Sequence, residues 1–96
     1  MLLKDLEWVI KTFRFDLCQK TKVGYSDRSL AVYNDQVQVE IFTVYDIKGT
    51  PRDRIRVFED VPKPYYYSTY DLKEFMANPD RILIDKIVKK QRLNEV

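Results

Sequence analysis

Val37-Gln38-Val39-Glu40-Ile41-Phe42-Thr43-Val44-Tyr45, the turn Lys48-Gly49-Thr50-Pro51 and the return Arg54-Ile55-Arg56-Val57-Phe58 decide the fold. Val37, Val39 and Ile41 alternate with Gln36, Gln38 and Glu40, so a strand here has one dry face and one wet face. Phe42 and Val44 then join the wet side while Tyr45 continues the dry one, which predicts a central strand buried on both faces. Ile55 and Val57 point inward on the return, and the pair reads as a β-hairpin.

Ahead of the hairpin, Gly24 to Arg28 and Asn34-Asp35 carry turn chemistry and bracket a short strand, Leu30 to Tyr33. Leu2, Leu3, Leu6, Val9 and Ile10 recur at three and four, the spacing of one helix face. Phe13, Phe15 and Leu17 allow either a longer helix or a helix passing into a strand; their strand-forming aromatics favour the strand. Trp8 reads as a partly buried anchor beside the helical stripe. Beyond the hairpin, Ser68 or Thr69 is expected to cap a helix from Tyr70 to Ala77. Asn78-Pro79-Asp80 ends it and starts a last helix with Leu83, Ile84, Ile87 and Val88 as its buried stripe. The expected fold class is α+β: a small antiparallel sheet built on a central β-hairpin, with an N-terminal helix and two short C-terminal helices. At 96 residues and 45% hydrophobic content, the chain suits a single domain with one core.

Composition limits the chemistry. There is no His and only Cys18, so the usual zinc ligand sets and an internal disulfide cannot be assembled, and a reducing, cytoplasmic setting is expected. The opening Met1-Leu2-Leu3-Lys4-Asp5 gives no signal peptide or membrane span to draw. No nucleophile can be paired with a base and no Gly-rich phosphate loop is present, so the expectation is a non-catalytic protein without cofactor or metal. Net charge is only +2, too balanced to hold a phosphate backbone by bulk electrostatics, so any nucleic-acid site must be local.

Two local features point to such a site. Arg52, Arg54 and Arg56 share a parity and hence one strand face, which is either a phosphate ladder or one side of cross-strand ion pairs with Glu40 and Asp46. In Lys63-Pro64-Tyr65-Tyr66-Tyr67, the alternation of a strand sends Tyr65 and Tyr67 one way and Tyr66 the other, so Tyr65 and Tyr67 can stack on bases. Core packing of all three tyrosines is the competing reading.

The hairpin followed by Lys63-Pro64-Tyr65-Tyr66-Tyr67 resembles the start of the N-terminal domain of archaeal-type family-B DNA polymerases, over residues 37–68. The resemblance implies a β-rich module beside the template strand, with Pro64 and Tyr65 matching the Pro-Tyr pair of a pocket that senses deaminated bases. The chain departs from that family in lacking the exonuclease carboxylates and the paired palm aspartates, and in carrying Leu2 to Asp35 ahead of the hairpin, so polymerisation is not expected. Two functions follow as expectations. One is a module that binds single-stranded DNA or a DNA-replication protein through Arg52, Arg54, Arg56, Pro64, Tyr65 and Tyr67. The other is a protein-interaction subunit or homodimeric adaptor using the amphipathic N-terminal segment or an open sheet edge.

Overall fold

The alternating stretch does form a hairpin, and it sits inside a wider sheet. The structure, a computed structural model, describes residues 3–59 and 67–93. Its elements are α1 (Leu3–Thr12), β1 (Lys22–Ser26), β2 (Ser29–Tyr33), β3 (Gln38–Tyr45), β4 (Pro51–Phe58), β5 (Tyr67–Asp71), α2 (Leu72–Ala77) and α3 (Arg81–Leu93), with a 3-10 turn at Phe15–Leu17. The five strands pair antiparallel in the order β1-β2-β3-β4-β5. The fold class is therefore α+β, with an N-terminal helix, a five-stranded antiparallel sheet and two C-terminal helices.

Period two sets which side of the sheet is dry. Val39 lies opposite Val57 and Ile41 opposite Ile55, and all four are at most 1% exposed. Leu30 and Val32 continue this face through β2, and Tyr70 opposite Ile55 continues it through β5. The helices supply the other half of the core: Val9 from α1, Leu72 and Phe75 from α2, and Leu83, Ile84 and Ile87 from α3. Phe13 and Phe75 stack with centroids 6.1 Å apart, and Trp8 meets both rings edge-on, the partly buried anchor expected of it. Burying side chains of this size contributes ~1.5–3 kcal/mol each.

Several local expectations are corrected. Phe13 to Leu17 is not a strand: Arg14 takes a left-handed conformation (φ 54°), which turns both Phe13 and Phe15 into the core. Its guanidinium is forked onto Asp16, with both nitrogen–oxygen distances 3.0 Å. Gly24 is within β1, and the turn is confined to Asp27 and Arg28 between β1 and β2. Tyr70 belongs to β5, and Asp71, not Ser68 or Thr69, caps α2 by accepting from the Glu74 amide at 3.1 Å. Within the expected Asn78-Pro79-Asp80 boundary it is Asp80 that caps α3, accepting from the Leu83 amide at 3.1 Å. β3 is the middle strand but is buried on one face only: on the other, Gln38, Glu40 and Phe42 are partly buried and Val44 is 39% exposed, and on the dry face burial ends before Tyr45, which is 52% exposed. The hairpin turn needs its glycine, since Gly49 has φ +80°, and Asp46 Oδ1 closes the loop by accepting from the Lys48 and Thr50 amides.

Candidate nucleic-acid interface

Every helix packs on one side, so the other face of the sheet is left without a covering element among the described residues. Register lays this open face out in rows. Tyr33, Gln38, Phe58 and Tyr67 lie side by side across β2 to β5; the next row is Ala31, Glu40, Arg56 and Thr69, and the next Ser29, Phe42, Arg54 and Asp71. Three aromatic side chains, Phe42, Phe58 and Tyr67, thus surround Arg56. Its guanidinium carbon lies 4.0 Å from the Phe42 ring centroid, 5.4 Å from that of Tyr67 and 6.0 Å from that of Phe58. Phe58 and Tyr67 pack on each other at 5.2 Å with their planes tilted by 47°.

The three arginines share a face as their parity requires, but their surroundings differ. Arg56 donates from Nε (3.0 Å) and Nη2 to Glu40 Oε1, directly opposite on β3. Its charge is met by Glu40, and its side chain stays 30% exposed among the three rings. Arg52 lies 3.9 Å from Asp46 with its side chain 64% exposed, a pair that contributes little in water. Arg54 makes no ion pair among the described residues; it sits between Phe42 on β3 and Asp71 on β5. It also lines a shallow hollow with Thr69, Tyr70, Asp71 and Glu74. Arg52 and Arg54 are the guanidiniums available to a phosphate.

Tyr67 opens β5 on the uncovered face, opposite Phe58, and is 51% exposed. Pro64 and Tyr65 lie outside the described residues, as does Tyr66. Phe42, Phe58 and Glu40 were not singled out as binding residues from the sequence. The signal was present, because Phe42 and Phe58 have the parity that puts them with Arg54 and Arg56, and Glu40 faces Arg56.

An acid–phenol pair lies on the helical side of the sheet. Tyr70 Oη donates to Asp80 Oδ2 at 2.7 Å. This bond holds the Asp80 carboxyl below the usual range, helped by the Leu83 amide, and raises the Tyr70 phenol. No helix among the described residues is long and apolar enough to cross a membrane. No protein-family model matches the chain, and no match is found among curated proteins or solved structures.

Proposed function

We propose that this protein is a non-catalytic module that binds single-stranded nucleic acid on the open face of its sheet. The observation that carries the reading is the cluster of Tyr67, Phe58, Phe42 and the Arg56 plane, with Arg52 and Arg54 beside it. Unpaired bases stack on tyrosine rings and on guanidinium planes, and each such contact contributes ~1–3 kcal/mol. Lys22, Arg52, Arg54 and Arg56 carry the positive charge on this face, against Glu40, Asp46 and Asp71, and Arg56 and Arg52 are partly neutralised by Glu40 and Asp46. The resemblance of residues 37–68 to the polymerase N-terminal domain supports DNA as the strand, and a replication complex as the setting.

Titration of a fluorescent oligonucleotide tests the reading. Two or three phosphate contacts give a log–log salt slope of about −1.4 to −2.1. Tyr67→Ala weakens binding about tenfold, one lost stacking contact. No binding at low salt, or unchanged binding in Tyr67→Ala combined with Arg54→Ala, overturns it. A preference for uracil over thymine rests on Pro64 and Tyr65 alone, and equal affinity for the two strands removes that finer expectation.

A second reading, self-association, is favoured by β1. This outer strand exposes Val23 (38%) and Tyr25 (70%) on one side. Antiparallel pairing of two β1 strands about Gly24 sets Val23 of one copy against Tyr25 of the other. Such an apolar contact responds little to salt, which separates it from phosphate binding. A sedimentation profile that stays monomeric at high protein concentration excludes it.

A further inference from the structure

We infer that Glu40 reads the base placed on the open face and selects guanine; the inference rests on the nucleic-acid reading above. A carboxylate offers about four acceptor positions. Arg56 uses Oε1 alone, through both Nε and Nη2, and Oε2 accepts no hydrogen bond from the described residues. Glu40 is therefore an oriented anion with an unused oxygen, held by a partner on one side only. On its other side β2 places Ala31 directly opposite, a residue with only a methyl to project from the sheet. Next in that row is Gly24, so two small residues lie between Glu40 and the sheet edge. Tyr33, one row over, leans across Gly24, its Cε1 3.6 Å from where a Cβ would stand. A base entering over Ala31 meets the Tyr33 ring beside it and Glu40 Oε2 at its edge.

The chemistry of that edge decides which base is favoured. Guanine presents two adjacent donors, N1–H and N2–H, which can converge on one carboxylate oxygen. Adenine and cytosine pair a single amino donor with a ring-nitrogen acceptor, which the anion repels. Thymine and uracil flank their one N–H with two carbonyl oxygens, which it repels twice. Hydrogen bonds to a charged acceptor are stronger than neutral ones, and a base that presents an acceptor leaves Oε2 desolvated without a partner.

A short oligothymidine carrying one central dG, dI, dA or dC provides the test, read by fluorescence anisotropy. The dG strand is expected to bind about tenfold tighter than oligothymidine, one net charged hydrogen bond. The dI strand, which lacks the N2 amino group, falls between them. In Glu40→Gln the dG-to-dT ratio falls to near one, with folding checked by the melting of its circular dichroism signal. Equal binding of dG and dT strands by the unmodified protein overturns the inference and leaves the proposed function standing. So does a dG preference that persists in Glu40→Gln. Failure of every strand to bind overturns both together.

Discussion

The guanidinium of Arg56 lies 4.0 Å over the ring of Phe42 and is fixed in that position by Glu40, its cross-strand partner. Arg56 is thus held by an aromatic ring and a carboxylate at once. Arg56→Lys keeps the charge but loses both the plane and the fork. It is expected to lower stability by ~0.5–1 kcal/mol and to weaken strand binding with little change in the salt slope. Arg54→Ala is expected to do the reverse, reducing the magnitude of the slope by about 0.7. Parallel salt titrations of the two variants check the contrast.

Gln91 ties three distant segments together. Only 3% exposed, it donates from Nε2 to the Phe13 carbonyl at 2.7 Å and accepts from Asn34 Nδ2 at 3.2 Å. Asn34 in turn accepts from the Gln36 and Val37 amides, which shapes the β2–β3 connection. Gln91→Leu leaves the Asn34 amide and the Phe13 carbonyl buried without these partners. The expected loss is ~1–3 kcal/mol in urea unfolding, followed by Trp8 fluorescence, with the slope m unchanged.

The Tyr70–Asp80 bond makes stability depend on pH in two opposite directions. The Asp80 pKa is lowered by folding, chiefly by the Tyr70 hydroxyl, from an ordinary value of 3.8. Its contribution is present above that value and is lost as pH falls through the folded pKa. The Tyr70 pKa is raised by folding, chiefly by Asp80, from 10.0, so its contribution is present below 10.0 and is lost as pH rises through the folded pKa. The stability gap between the unmodified protein and Tyr70→Phe should be widest between the two limits and narrow at both ends. Urea midpoints across pH measure it.

Ile55 is fully buried between Ile41 and Tyr70 at the middle of the sheet. Ile55→Ala should reduce stability by ~2–5 kcal/mol, more than any open-face substitution proposed above. A comparison of melting curves with Arg56→Lys checks that the open face is not what holds the sheet together.

The strands and helices that alternate cleanly were legible in the sequence. Val39, Ile41, Ile55 and Val57 have an unbroken period of two, and Leu83, Ile84 and Ile87 the helical spacing, because burial on one side imposes those periods. What escaped was local backbone geometry. Arg14 enters the left-handed region against its residue type, supported by Asp16 and by two buried neighbours, and no pattern of apolar residues reports a conformation. β1 escaped because Gly24 and the polar residues after it read as a turn, and an edge strand exposed on both sides leaves only Val23 and Tyr25 to set against that reading. The candidate site was half legible: parity put three arginines on one face, while pairing decided that Arg56 stacks and Arg54 is available. Parity alone also made Phe42 ambiguous, since an aromatic on the wet side reads equally as a second buried face.

Binding on the open face is tested most directly by NMR titration with a single-stranded oligonucleotide, following backbone amides and aromatic ring signals. The account predicts shifts concentrated on Phe42, Arg54, Arg56, Phe58 and Tyr67, with the core side chains of α1 and α3 unmoved. Shifts confined to the helices or to the β1 edge, or no shifts at saturating strand, would contradict it.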